Sequence, residues 1–268
     1  MVSAVAYSNR KVKMRRRRRM VFLHRVGIGF LMILIFVGAL ALRSRVWERS
    51  AEVWNDISGE KSARYPESLQ RLLESNPEAR SFVLDYPEKK DAHPAVDLSG
   101  EVAKGTIPLF LQWDERWGYE NYGDDLLALT GCGPTCLSMV RCGLSGDTDW
   151  DPGRVAQMAQ RQGYYEPGAG SSWTLMSEGA EGMGLIVSEV IFDEADIRST
   201  LEQGCPIICS MGPGDFTTAG HFIVLTGVDE EGNITVCDPN SRKRSEKVWE
   251  LSGLMSQIKN LWAYSYGE

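Results

Sequence analysis

Three side chains in this sequence have the types and settings that acyl-transfer chemistry needs: a cysteine, a histidine and a carboxylate. The cysteine lies in Gly131-Cys132-Gly133-Pro134-Thr135. Pro134 predicts a helix start, which puts Cys132 just ahead of the helix, where unpaired N–H groups and the helix dipole favour an anion. A thiol there is biased toward thiolate, the form that attacks carbonyl carbon. The flanking glycines are expected to let a substrate backbone approach closely. Of the three histidines, His24 falls in an apolar N-terminal stretch and His93 precedes Pro94 in a linker. That leaves His221, which follows the glycine-rich 212–220 segment and opens the apolar run Phe222 to Val228, so it belongs at the rim of a sheet.

An imidazole used as a base needs an orienting partner, and Asp238 and Asn240 both qualify. With a turn centred near Glu231, antiparallel pairing sets His221 opposite roughly residue 241, and one bulge would shift this, so register leaves both open. Asp238-Pro239 also suits a plain turn opener. A metal site built from Cys132, Cys136, His221 and Asp238 is disfavoured, because C-x-x-x-C lacks the C-x-x-C knuckle spacing. No metal and no cofactor is expected. Cys136, Cys142, Cys205, Cys209 and Cys237 read as buried free thiols, since their spacing within single elements is poor for local bridges.

The elements that must carry these residues follow from periodicity and punctuation. Helices are expected over Pro134 to Cys142, from Asp151-Pro152 to Gln162, from Ser172 through Ala180, and from Asp193 to Gly204. Short runs rich in Ile and Val then read as strands: Pro206 to Met211, His221 to Val228, and Ile234 to Asp238, the last two joined by a turn at 229–233. Helices first and antiparallel strands second indicate an α+β fold. Before this domain, placed at 105–268, residues 43–104 read as a helical stalk and linker. One helix there opens at Tyr65-Pro66, and a second starts at Pro77 and ends at Pro87. Their apolar faces are expected to dock on the domain rather than to inhibit it.

Charge divides the chain. Residues 1–25 hold nine of its 29 basic residues and no acid, while the remainder sets twenty basic against 36 acidic residues, a net −16. Alone, the basic tail would suit nucleic acid. The following 26–42 stretch, VGIGFLMILIFVGALAL, is instead long and apolar enough to predict one N-terminal transmembrane helix or signal anchor. The positive tail then stays in the cytoplasm and everything after Arg43 is exported, so the expected partners are a membrane and a substrate, with no nucleic acid. The alternative is secretion after cleavage near Ala41.

Gln112-x-Asp114-x-x-Trp117, the Gly131 to Thr135 motif, Gly220-His221-Phe222-Ile223-Val224-Leu225-Thr226-Gly227 and Asp238-Pro239-Asn240 together resemble the papain-like cysteine peptidases related to bacteriocin leader-processing enzymes, family thirty-nine of that class. The resemblance covers residues 107–263. It implies a papain-like α+β fold with Cys132 as nucleophile, His221 as base and Asp238 as orienting acid. It further implies that Gln112 donates to the oxyanion with the backbone N–H of Cys132. The leader-processing enzymes work beside an ATP-driven exporter, whereas this sequence carries no phosphate-loop motif and its domain is expected to face outward. The expectation is therefore thiol-dependent hydrolysis of a peptide or amide bond in a peptide or protein substrate at the outer membrane face. Acyl transfer to an amine, or a peptide-binding module without turnover, are the alternatives.

Overall fold

The computed structural model describes residues 64–267. The basic tail and the 26–42 apolar stretch lie outside the described residues, and among those described no helix is long and apolar enough to cross a membrane.

Two helices come first, α1 (Glu67–Ser75) and α2 (Arg80–Lys89), joined by a 3-10 turn at Pro77–Ala79. Leu69 and Leu72 of α1 and Phe82 and Val83 of α2 are buried, and they form one apolar cluster with Tyr119 and Ala128 of the following domain. Phe82 stacks on Tyr119 with ring centroids 4.2 Å apart, and the Tyr119 hydroxyl donates to the Phe82 carbonyl. The docking expected of these helices is thus present. Helix α2 does not stop at Pro87, as its sequence suggests, but runs on to Lys89. Proline there removes a single donor from the last turn. The turn is closed by Lys90 N–H on the Tyr86 carbonyl and by Lys89 bridging Asp85 and Glu115.

The domain then builds a small hairpin, β1 (Asn121–Tyr122) with β2 (Asp125–Leu126), and a one-turn helix α3 (Leu127–Thr130). The long central helix α4 (Cys132–Ser145) follows and ends at Gly146 in the left-handed conformation. Next come α5 (Pro152–Arg161), the hairpin β3 (Tyr165–Glu166) with β4 (Gly170–Ser171), and α6 (Glu178–Gly182). The single helix expected from Ser172 to Ala180 is instead a 3-10 turn at Trp173–Leu175 followed by α6. Ser172 is the reason: its hydroxyl bonds that of Thr174 and leaves the backbone uncapped.

The main sheet takes β5 (Leu185–Ser188), β6 (Ile207–Met211), β7 (His221–Val228), β8 (Ile234–Cys237) and β9 (Ile258–Tyr266) in the order β5-β9-β6-β7-β8, antiparallel throughout. Helix α7 (Glu194–Glu202) lies between β5 and β6 in the chain, and two short helices, α8 (Arg242–Ser245) and α9 (Leu251–Met255), precede β9. Strands β6 and β7 read as unbroken apolar runs because both faces are covered. Ile208, Phe222 and Val224 pack in the cluster of α4, while Ile207, Cys209, Ile223 and Leu225 pack in the cluster of α7 and α9. The helices-plus-antiparallel-sheet expectation holds: the fold is α+β and fits the papain-like arrangement.

Candidate active site

Cys132 is the first residue of α4, so the helix begins two residues earlier than the proline implies. Proline is accepted at the third position because a first-turn N–H has no intrahelical partner to lose. Cys132 retains the N-terminal setting that favours a thiolate. The flanking glycines are needed for a different reason than substrate approach. A Cβ on Gly131 would lie 2.5 Å from the Leu127 carbonyl oxygen, and one on Gly133 would lie 2.5 Å from Ser171 Oγ and 3.0 Å from Met176 Cε. The protein's own packing occupies that space. Gly133→Ala is therefore expected to push β4 off α4 and to break the 2.8 Å hydrogen bond between Ser171 and the buried Tyr122 hydroxyl. A thermal melt should report a loss of about 1–3 kcal/mol, the usual cost of overpacking.

His221 opens β7 at the sheet rim, as expected, and is 8 % exposed. Register decides between its two candidate partners. Pairing of β7 with β8 runs Val228↔Ile234 and Gly227↔Thr235, then slips to Leu225↔Val236 and Val224↔Cys237 through a bulge. The chain leaves the ladder at Asp238, and its carboxylate turns back to the ring: His221 Nε2 donates to Asp238 Oδ1 at 2.8 Å. The Asn240 side chain is taken by Asn76, whose Nδ2 donates to its Oδ1 at 2.9 Å, and its backbone N–H donates to the same Asp238 oxygen at 2.8 Å. The remaining ring nitrogen, Nδ1, is the one available to Cys132, which lines the same cleft and whose ionisation His221 favours.

Asp238 is fully buried, a costly place for a charge unless it is paired and hydrogen-bonded. Its second oxygen takes the Arg244 guanidinium of α8, and its backbone N–H donates to Ser245 Oγ at 2.9 Å. Sequence reading passed over Arg244; its only signal was a basic run, Arg242-Lys243-Arg244, close behind Asp-Pro.

Together these contacts fix the charge states. Burial pushes the Asp238 carboxyl up, but the neighbouring His221 and Arg244 cations and their hydrogen bonds hold it below the usual carboxylate range. Burial likewise disfavours the His221 imidazolium. The Asp238 charge and hydrogen bond, joined by the bond from Cys132, outweigh it and push the ring up to about 10. For Cys132, burial opposes ionisation, yet the His221 hydrogen bond and charge and the N–H groups of Phe222 and Gly133 bring the thiol below its ordinary range. Each group thus favours the charged form of the other, a thiolate beside an imidazolium.

Cys132 and His221 open into a cleft of about 500 Å³ whose walls include Ser171, Ser172, Trp173, Met211 and Phe222. Trp173, 48 % exposed, stands edge-on to Trp262. Glu166 and Lys259 supply its charged lining; both escaped the sequence reading because they sit on strands, β3 and β9, that were not anticipated. No residue of α1 or α2 lines the cleft. Gln112 is buried at 4 % exposure; its backbone N–H donates to the Pro239 carbonyl and its Nε2 donates to the Ala128 carbonyl, each at 2.7 Å. Its Oε1 is buried without a partner. The cysteines are all free: Cys136, Cys142 and Cys209 buried, Cys205 and Cys237 half-buried.

A comparison with curated proteins finds no match. Residues 104–268 match the sequence model of the Peptidase C39-like family, a span that takes in the cleft, the sheet and every residue of the Cys132–His221–Asp238 chain. A match over more than half its length, on a fold of this class, means that the chain belongs to the Peptidase C39-like family of papain-like cysteine peptidases.

Proposed function

We propose that this protein hydrolyses a peptide or amide bond through a thioester on Cys132, at the outer face of a membrane. The observation that carries the reading is the His221–Asp238 hydrogen bond beside Cys132, whose ionisation His221 favours, with Cys132 and His221 lining one cleft of about 500 Å³. In the first half-reaction the thiolate attacks the carbonyl carbon, and the imidazolium gives its proton to the departing amine. In the second, neutral His221 takes a proton from water, hydroxide adds to the thioester, and the thiolate leaves with the acid as product. Asp238 keeps the ring oriented and favours its charged form in each cycle. The oxyanion is assigned to the backbone N–H of Cys132 and to Gln112, whose Nε2 has one N–H on Ala128 and a second to give.

The outward location is supported by the basic tail and the apolar 26–42 stretch, which by the positive-inside rule direct the domain across the membrane. Transfer to an amine uses the same thioester, and the choice between water and amine lies with the acceptor. The test is a peptide-library digestion by the full chain, with and without added amine, read by mass spectrometry. Cleaved products that depend on His221 support hydrolysis. Amine adducts replacing free acids reassign it to transfer, and an unchanged library with a fully reactive thiol reduces the domain to a peptide-binding module.

A further inference from the structure

The turn that carries Asp238 is held from a part of the chain that precedes the family-matched region. Asn76, at the end of α1, is 8 % exposed, and its Nδ2 donates to the Asn240 carbonyl at 2.7 Å and to Asn240 Oδ1 at 2.9 Å. Its own Oδ1 accepts from Glu78 N–H at 3.1 Å, which fixes the start of the 3-10 turn. Glu78 in turn accepts from the Ser241 hydroxyl with one oxygen and from Lys243 N–H at 3.2 Å with the other. Ser241 is the N-cap of α8, accepting from Arg244 N–H at 3.1 Å. Both ends of this brace therefore reach the catalytic carboxylate. Asn240 N–H shares Asp238 Oδ1 with His221, and α8 presents Arg244 to Oδ2. Within the 104–268 region the same turn is restrained by Gln112 N–H on the Pro239 carbonyl and by Trp113 Nε1, which donates to the Asn240 carbonyl at 3.1 Å.

We propose that Asn76 and Glu78 are positioning residues of the active site: from outside the family-matched region they lock the 238–244 turn so that Asp238 faces His221. The inference rests on the reading of Cys132 as nucleophile. Without Asn76, the Asn240 side chain loses its partner and the shared carbonyl keeps only Trp113, so the N–H that steers Asp238 Oδ1 is no longer fixed. Without the Glu78 charge, α8 loses an external cap and Arg244 its bearing. Asp238 and Arg244 are the charged groups next to the pair, Cys136 from α4, Cys237 from β8 and Tyr122 from β1 are its titratable neighbours, and Glu166 and Lys259 share its cleft.

The test uses the full chain and needs no substrate: the pH dependence of iodoacetamide alkylation at Cys132, followed on the Cys132 peptide by mass spectrometry. Asp238→Asn is the reference, expected to move the rising limb, where the thiol ionises beside the imidazolium, to higher pH. Asn76→Ala should move that limb in the same direction by about half to one unit, which is about three- to tenfold slower alkylation on the acid side. Glu78→Gln, which turns a donor toward one of two donors, should do the same to a smaller extent. Because Glu78 is only half-buried and the exchange conserves volume, this variant decides the matter if Asn76→Ala does not fold. A rising limb coincident with the parent's in the folded variants, even with a lowered melting temperature, overturns the positioning role and leaves the helices as a stabilising layer. A parent that alkylates like an ordinary thiol defeats the nucleophile reading itself, and this inference with it.

Discussion

Cys132→Ala is expected to abolish labelling by a thiol-reactive peptide probe at a pH below the ordinary thiol range while the chain remains folded. The contrast is sharp because burial holds four of the other five thiols protonated. Burial pushes Cys136 well up, Cys142 to about 11 and Cys237 to about 12, and raises Cys209 further still. At that pH Cys132 alone combines a lowered ionisation with an opening to the cleft. Labelling should fall by about a hundredfold or more, since the thiolate is the reacting species. Peptide hydrolysis should fall by about 10⁴-fold or more, the scale seen when a nucleophile is removed. Folding should survive because the substitution deletes one sulfur at a helix start, and His221 keeps its bond to Asp238. Equal labelling of variant and parent would assign the reactive thiol elsewhere.

The second large effect is expected from His221→Ala, and its signature is in the pH profile. With the imidazolium gone, Cys132 retains the burial that opposes ionisation and only the N–H groups of Phe222 and Gly133 to counter it. Its thiol should therefore ionise above the ordinary range, and alkylation at neutral pH should drop by about a hundredfold. In the parent, reactivity should rise as Cys132 ionises below the ordinary thiol range and then stay level, because the thiolate persists. The variant should show its rise on the alkaline side of that range. A parent profile that rises there too would show that His221 does not stabilise the thiolate. Hydrolysis should suffer more than alkylation, by about 10⁴-fold or more, because the amine then leaves without a proton donor.

Much of this site was legible from residue types. Gly-Cys-Gly-Pro marked a helix start, and a histidine between a glycine-rich loop and an apolar run marked a sheet rim; both readings depend on local backbone preference, which sequence carries well. The choice between Asp238 and Asn240 was not legible, because a slip at Leu225/Gly227 and the turn at Pro239 jointly decide it. Strands β5 and β9 went unseen for another reason. Their burial is uneven along the chain, and they become strands by pairing with each other and with β6 across long separations. The brace from Asn76 and Glu78 spans 164 and 163 residues, beyond any periodicity. The glycines show a subtler limit: their necessity was readable, but not that Leu127 and Ser171 impose it.

The alternation of Cys132, His221, Asp238 and Arg244 has an electrical consequence for traffic at the cleft. Two anions and two cations cancel in the charged form that these contacts favour, and Glu166 and Lys259 cancel again in the lining of the cleft. Residues 26–268 are strongly acidic, yet the cleft presents no monopole to an arriving peptide. Capture should therefore proceed at nearly the same rate in dilute and concentrated salt, with shape and hydrogen bonding rather than long-range attraction selecting what enters.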